Sequence, residues 1–354
     1  APFENDPDTD FSLEQNRTWA LDIKKHWEHK TFETVPCVIN SEVIEHPSPE
    51  GIGIDPAQPE KILYTYTFAT WQEISEAIET AKNQQSKWQA VSVEDKAAIF
   101  AKAAQKIRQR RFDLTGVMMR DGGKALVECD VEISEAVDFI EYYLRSMLEM
   151  NQNKEISWTP KGTVLVTPPW NFPVSIPTGG IFAALAAGNC VLFKPAPESV
   201  LSGWLLVNAF WDAGIPKNVL QFINCADNPV GSQLITDERI NSVILTGATA
   251  TAELFMNMRP DLDLHAETGG KNALIVTALS DRDLAIKDLI QSAFGHSGQK
   301  CSAASLGILE AEVYDDPHFL KQLKDAVESL SVGSPWNFKS KVTPLIRAPS
   351  DALL

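Results

Sequence analysis

The sequence predicts an α/β fold in which a doubly wound parallel sheet follows a helical segment. Beyond about residue 160, short apolar runs rich in β-branched residues alternate with helical stretches. That alternation is typical of parallel strands buried on both faces. Glycine stands where two of these helices should end, at Gly188 and Gly214, and Pro216 helps to stop the second. Before residue 160 the apolar residues recur mainly at helical spacing instead.

The first sixty residues contain seven prolines and few periodic stretches. Proline removes a backbone donor and fixes its own φ, so such a segment is a poor candidate for regular structure. We therefore interpret residues 1–60 as an irregular arm draped over the domain that follows.

Three helices are predicted before the sheet. The first opens at Thr70, which has the capping-box spacing to Glu73 and is followed by an apolar stripe at i, i+3, i+4, i+7. The second runs from Ser92 towards the glycine pair at 122–123. The third carries apolar residues on one side over 133–144. Each helix is expected to bury one face.

Five apolar runs are predicted as strands, with helices over 181–187 and 201–213 between them. The runs are 164–166, 191–193, 219–223, 243–245 and 273–276. Ligands of such folds bind beyond the carboxyl ends of the strands. The loop 246–249 precedes a helix and offers backbone N–H groups for a phosphate, although the fingerprints GxGxxG and GxxxxGK are absent. An ordinary strand-to-helix turn is the alternative for that loop.

Composition excludes several classes of protein. The 354 residues suffice for two domains, and 44% hydrophobic with 22% charged residues is ordinary for a globular enzyme. A net charge of −16 disfavours binding to nucleic acids and to anionic membranes. No apolar run is long enough to span a bilayer, and the acidic start lacks the features of a signal peptide. Since the sequence does not begin with Met, we expect a piece of a longer protein.

Cysteine usage indicates a reducing compartment. The five cysteines are widely spaced without a CxxC pair, so we predict a cytoplasmic protein with no metal site.

Three residues are candidates for chemistry. Cys301 follows Lys300, whose charge favours a thiolate nucleophile, with a buried structural thiol as the alternative. Glu267 precedes a glycine pair at 269–270 that permits close approach to a ligand, with a surface acid on a turn as the alternative. Asn171 lies in a proline-flanked loop that suits a donor to an oxyanion, with a turn residue as the alternative.

Five motifs occur together in an order and spacing that resemble one family. They are PWNFP at 169–173, KP at 194–195, TG at 246–247, ETGGK at 267–271 and GQKC at 298–301. From about residue 70 to its end, the chain resembles the aldehyde dehydrogenase superfamily. Within it, GQKCSA at 298–303 looks like the L-glutamate γ-semialdehyde dehydrogenases. The stretches 6–20 and 294–314 look like the dehydrogenase half of bifunctional proline-utilisation proteins, in which a proline dehydrogenase domain lies upstream.

The resemblance implies a role for each site residue. Cys301 would be the nucleophile, Glu267 the general base and Asn171 the oxyanion donor. Phe172 and Ser302 would contact the aldehyde substrate. NAD would be bound by Thr167, Pro169, Trp170, Lys194, Gly231, Thr246, Gly247, Ala248 and Gly269.

Cofactor choice stays open in one respect. Pro197 stands where a common superfamily pattern has an acid that contacts the ribose, and Glu198 follows one place later. We therefore predict NAD, with NADP as the alternative.

The same resemblance implies two domains. Residues 61–268 would be the Rossmann-like NAD-binding domain with its N-terminal helices, and 269–354 an incomplete α/β catalytic domain. The expected reaction is oxidation of L-glutamate γ-semialdehyde to L-glutamate in proline catabolism. The alternatives are another aldehyde, or a nucleotide-binding module without activity. A homo-oligomer is possible in the full-length protein.

Overall fold

The computed structural model describes residues 2–153 and 155–351. Within them the chain forms twelve α-helices and eleven strands. The helices are α1 (Glu14–Trp27), α2 (Trp71–Ala90), α3 (Val93–Gln109), α4 (Arg111–Asp121), α5 (Leu126–Gln152), α6 (Ser175–Ala186), α7 (Val200–Ala213), α8 (Ser232–Thr236), α9 (Thr249–Met258), α10 (Arg282–Phe294), α11 (Ala311–Tyr314) and α12 (Pro317–Glu328). The strands are β1 (Cys37–Ile39), β2 (Glu42–Ile44), β3 (Gly51–Asp55), β4 (Gln58–Tyr66), β5 (Thr163–Thr167), β6 (Cys190–Phe193), β7 (Leu220–Phe222), β8 (Ser242–Gly247), β9 (Leu264–Thr268), β10 (Asn272–Val276) and β11 (Ala304–Leu309).

The central sheet confirms the predicted doubly wound topology. Seven of the described strands join it in the order β2-β1-β7-β6-β5-β8-β9. The five from β7 to β9 are parallel, whereas β1 and β2 pair antiparallel at one edge. The chain runs outwards from β5 in both directions, so the strand order reverses between β5 and β8. A crevice for a ligand is expected at the carboxyl ends of these two strands.

The side chains of the central strands are buried by helices. Leu165 and Leu192 lie opposite each other on β5 and β6 and are fully buried, and helices α2 and α6 contact both strands. The predicted capping box at Thr70 is present, with Glu73 bonding back to the Thr70 backbone. Gly214 ends α7 in a left-handed conformation with φ of 110°. These local predictions are confirmed.

The irregular arm predicted for residues 1–60 is wrong. This segment contains α1, the strands β1, β2 and β3, and the first residues of β4. Its Ile23, Trp27 and Cys37 side chains are buried. Val38 on β1 pairs with Phe222 on β7 and so extends the central sheet. Strands of three residues are too short to show a period. Six of the seven prolines lie outside the helices and strands, and Pro59 is the second residue of β4.

Two further predictions need correction. The helix expected from Ser92 to the glycine pair is two helices, which meet at Arg110 where the backbone leaves helical geometry (φ −97°, ψ 11°). The run 273–276 does form β10, but β10 pairs with β11 in a separate parallel sheet. The last strand of the central sheet is β9, which was not predicted from the sequence. Its residues 265–267 are exposed, so the segment has no continuous apolar run.

Among the helices of the described ranges, none has the length and hydropathy needed to cross a bilayer.

Candidate active site

A cavity of about 1210 Å³ lies at the carboxyl ends of β5, β6, β8 and β9. The loops that follow these strands line it, together with residues 298–301 and 345–350. Of the predicted site residues, the following line this cavity: Thr167, Pro169, Trp170, Asn171, Phe172, Lys194, Gly231, Thr246, Gly247, Ala248, Glu267, Gly269 and Cys301. Ser302 is exposed next to Cys301 and is not among the lining residues.

Cys301 lies in the loop between α10 and β11. Its side chain is exposed, whereas the other four cysteines are buried, so the alternative of a buried structural thiol is wrong. Two non-glycine residues of this loop, His296 and Ser297, have left-handed φ values of 49° and 58°, a strained conformation that the surroundings must hold. Ser297 Oγ donates to the carbonyl of Thr343 at 2.7 Å, and Asn272 Nδ2 donates to the carbonyl of Cys301 at 2.7 Å.

Asn171 connects its own loop to the loop of Cys301. Its Nδ2 donates to the carbonyl oxygen of Gln299 at 2.8 Å, two residues before the thiol. Its own carbonyl accepts from Lys124 Nζ at 2.8 Å. One contact therefore holds the carboxamide at the cavity and the other holds the main chain of the same residue, which fits a donor role better than a simple turn residue.

Glu267 is on β9, so the turn expected in its alternative is wrong. It pairs in parallel register with Thr246 on β8. Its side chain is exposed and lines the cavity. Thr246 and Gly247, which were predicted in a loop, are the last two residues of β8, and the candidate base lies on the strand beside them.

The loop after β8 leads directly into α9. Ala248 is the N-cap residue and makes no side-chain cap bond, so the first-turn N–H groups depend on other partners. A helix N-terminus favours a phosphate through these donors and the helix dipole. Lys194 lines the same cavity and adds a positive charge. These groups and the size of the cavity fit a dinucleotide.

Comparison with known proteins identifies the family. Residues 48–352 match the aldehyde dehydrogenase family. The chain belongs to this family. A 1-pyrroline-5-carboxylate dehydrogenase of Oceanobacillus iheyensis is 32% identical over 94% of this chain and 68% of its own length. Another of that name, from Bacillus pumilus, is 31% identical over 98% of this chain and 70% of its own length.

Solved structures of similar proteins agree. A 1-pyrroline-5-carboxylate dehydrogenase from Thermus with bound NAD superposes with a TM-score of 0.90 at 30% identity, covering 98% of this chain and 70% of that one. Proline utilization A from Bdellovibrio bacteriovorus gives a TM-score of 0.91 at 30% identity, over 98% of this chain and 38% of that one.

Sequence reasoning missed several polar residues around the site of this aldehyde dehydrogenase. Lys124 and Glu132 form a buried ion pair behind the Asn171 loop, and Glu128 pairs with Lys300 at 2.6 Å. Burial raises the pKa of the Glu132 carboxyl, while the neighbouring ammonium of Lys124 opposes that shift. The usable signal was the spacing of Glu132 and Glu128, which lie one and two turns before Ala136 and so continue the apolar side of the predicted third helix.

His296 is a further residue at this place, and a lone histidine is usually expected to find backbone carbonyl partners. Its ring is buried, 6.4 Å between centroids from both Trp170 and Phe172, and neither ring nitrogen has a hydrogen-bond partner in the described part of the chain. Burial, with added repulsion from Lys124 and Lys300, lowers the pKa of His296 to about 2. The imidazole is therefore neutral at any physiological pH.

Proposed function

We propose that this aldehyde dehydrogenase oxidises L-glutamate γ-semialdehyde, the open-chain form of 1-pyrroline-5-carboxylate, to L-glutamate with reduction of NAD, a step of proline catabolism. The observation that carries the proposal is the meeting of an exposed thiol, a carboxylate and a carboxamide at one cavity: Cys301, Glu267 and Asn171. Similarity to enzymes named 1-pyrroline-5-carboxylate dehydrogenase over 94–98% of the chain supports the choice of substrate.

The first half of the reaction belongs to Cys301. Its sulfur attacks the aldehyde carbon, and the carbonyl oxygen becomes an oxyanion in a thiohemiacetal. The backbone N–H of Cys301 and the side chain of Asn171 donate to that oxygen. Because a carboxamide has two N–H donors, the bond to Gln299 leaves a second one for this purpose. NAD held by the residues that line the cavity would supply the acceptor for the hydride that leaves the carbon, and a thioester on Cys301 would remain.

The second half belongs to Glu267. Its carboxylate takes a proton from a water molecule as that water attacks the thioester carbon. The carbon–sulfur bond then breaks, glutamate leaves and the Cys301 thiolate is restored. An exposed carboxylate at the cavity suits this role because water can reach it.

The nine predicted cofactor contacts stay proposals. What supports them is their position at the carboxyl ends of β5, β6, β8 and β9 and in the segment at Gly231, where all nine line the cavity. At Gly269, no described atom lies within 4 Å of where a Cβ would be. Packing therefore does not require this glycine, whereas the close approach of a cofactor would.

Substrate contacts and the wider assembly are also proposals. We propose that Phe172 packs on the aliphatic part of the aldehyde and that Ser302, exposed beside the nucleophile, binds its carboxylate. The proposed boundary between 61–268 and 269–354 is supported by the end of β9, the last strand of the central sheet, at Thr268, whereas β1 and β2 extend that sheet to residues before 61. An upstream proline dehydrogenase domain, a homo-oligomer and a cytoplasmic location stay predictions, the last supported by five free cysteines.

The test is NAD reduction, followed by the near-ultraviolet absorbance of the reduced nicotinamide. The chain is given glutamate γ-semialdehyde, then an unbranched aldehyde without a carboxylate, and then NADP in place of NAD. Preferential turnover of the semialdehyde with NAD is expected. Better turnover of the simple aldehyde would overturn the substrate. NAD binding without any turnover would favour the nucleotide-binding module.

A further inference from the structure

A fully buried ion pair lies behind the loop that carries Asn171. Lys124, in the connection from α4 to α5, is hydrogen bonded to Glu132 on α5, and both side chains are 0% exposed. Removing two charges from water costs several kcal/mol each, roughly, so such a pair is weak evidence for stability. The contacts that it makes indicate a different purpose.

The ion pair holds the Asn171 loop at several points. Lys124 Nζ donates to the carbonyl of Asn171 at 2.8 Å and lies 4.3 Å from the ring centroid of Phe172. Glu132 Oε1 accepts from the backbone N–H groups of Val174 at 2.7 Å and Ser175 at 3.1 Å. The ion pair thus contacts the loop between β5 and α6 from Asn171 to Ser175, the first residue of α6.

The same helix also holds the loop of the nucleophile. Glu128 lies one helical turn before Glu132, and its carboxylate pairs with Lys300, the neighbour of Cys301. The bond from Asn171 Nδ2 to Gln299 joins the two loops. Successive turns of α5 therefore anchor the two loops that bring the carboxamide and the thiol together.

We propose that Lys124, paired with Glu132, is a positioning residue that fixes the main chain of Asn171 so that its side-chain N–H meets the developing oxyanion. This inference rests on the proposed function. Neither residue of the pair lines the cavity, so neither contacts the reacting atoms. Their effect on the reaction must pass through the Asn171 loop.

The test is a mutant cycle with the charges removed as a pair. Lys124→Met/Glu132→Gln keeps the volumes and leaves no unpaired charge. We expect kcat to fall about 10²-fold, since a displacement of about 1 Å at a reacting group has that effect. The Kd for NAD should stay the same. In the Asn171→Ala background the pair substitution should cause no further fall, because its effect acts through the missing carboxamide.

The matched control is a second buried ion pair, Arg120 with Asp55, both 2% exposed. Arg120→Met/Asp55→Asn should lower the thermal midpoint to a similar extent while kcat is retained. Hydrogen exchange supplies a readout without turnover: the amides of Val174 and Ser175 should exchange faster in the Lys124/Glu132 variant alone, because the neutral oxygen of glutamine accepts more weakly than the Glu132 carboxylate.

The outcomes separate this inference from the proposed function. An unchanged kcat in the folded variant, a fall that multiplies with that of Asn171→Ala, or an equal fall in the control would overturn the positioning role only. A wild-type chain that binds NAD but does not oxidise the semialdehyde would overturn the proposed function and this role with it.

Discussion

The central sheet and the region that carries the nucleophile differ sharply in burial. On β5 and β6 the apolar side chains are enclosed, and Leu165 and Leu192 are 0% exposed. On β10 and β11, by contrast, Ile275 is 69% and Leu306 55% exposed. The second region buries a small cluster of its own, formed among the described residues by Val276, Ile286, Val313 and Phe319.

This contrast teaches where stability and chemistry lie. Burial of apolar area is the main stabilising contribution to a fold, so the sheet region must supply most of the stability. The nucleophile loop is instead held by polar contacts that reach into the first region, such as Lys300 with Glu128 and Gln299 with Asn171. The site therefore lies at a seam between a well-packed scaffold and a more open region.

The largest expected effect is a loss of catalytic activity without a loss of stability. Cys301→Ala should lower aldehyde oxidation on the order of 10⁶-fold, as loss of a nucleophile does. Because the side chain is exposed, the thermal midpoint and the Kd for NAD should stay near the wild-type values. Turnover assays and calorimetric titration with NAD check this. Loss of NAD binding in the variant would contradict the separation of the two regions.

Glu267→Gln tests the general base on β9, the strand of the central sheet that borders the cavity. Deacylation should slow by roughly 10²- to 10⁴-fold, because a neutral amide cannot take the proton of the attacking water. Rapid mixing should then show a burst of reduced nicotinamide followed by a slow steady state. Glu253→Gln, an exposed acid on α9 outside the cavity, is the matched control. Unchanged steady-state turnover in Glu267→Gln would argue against the base role.

A pair of leucine substitutions compares the two regions directly. Leu192→Ala should lower the free energy of unfolding by about 2–5 kcal/mol, because it leaves a cavity in a closed core. Leu306→Ala on β11 should cost only about 0.5 kcal/mol or less, because the side chain already contacts solvent. Urea unfolding of both variants measures the difference. Equal losses would mean that the second region is packed as tightly as the first.

The smallest effect is a pH dependence of stability that comes from a buried carboxyl group in the first region. Asp121 on α4 accepts from the Tyr64 hydroxyl and from the backbone and hydroxyl of Ser202, and burial raises the pKa of its carboxyl from 3.8 to about 7. The folded state thus holds this proton more tightly than the unfolded state. Its contribution to stability is complete below about pH 4 and is lost as the pH rises through 7.

Asp121→Asn should remove this dependence. Between pH 5 and pH 8 the free energy of unfolding of the wild type should fall by about 2–3 kcal/mol relative to the variant, at 1.36 kcal/mol per pH unit below the folded-state pKa. Urea unfolding at several pH values provides the measurement. Parallel curves for the two proteins would contradict the role of Asp121.

Local patterns predicted those elements whose signals lie within one turn or one strand. Thr70 with Glu73 predicted the start of α2, and Gly214 predicted the end of α7, because capping and left-handed backbone depend on neighbouring residues. Strand β1 and strand β9 were missed for the opposite reason. The first is three residues long, and the second, with Glu267, is too exposed at the sheet edge to show an apolar run.

By itself, the sequence determined the alternation of strands and helices and the motifs that follow the strands. Parallel strands end at one edge, so the loops at Asn171, Lys194 and Thr246 had to lie near one another. Only the tertiary structure decided that β10 leaves the sheet, that Ser302 lies outside the cavity lining, and that Lys124 and Glu132 close behind the Asn171 loop. The periodicity of apolar residues predicts that one face of a helix or strand is buried. Which other element packs on that face depends on contacts between segments far apart in the chain.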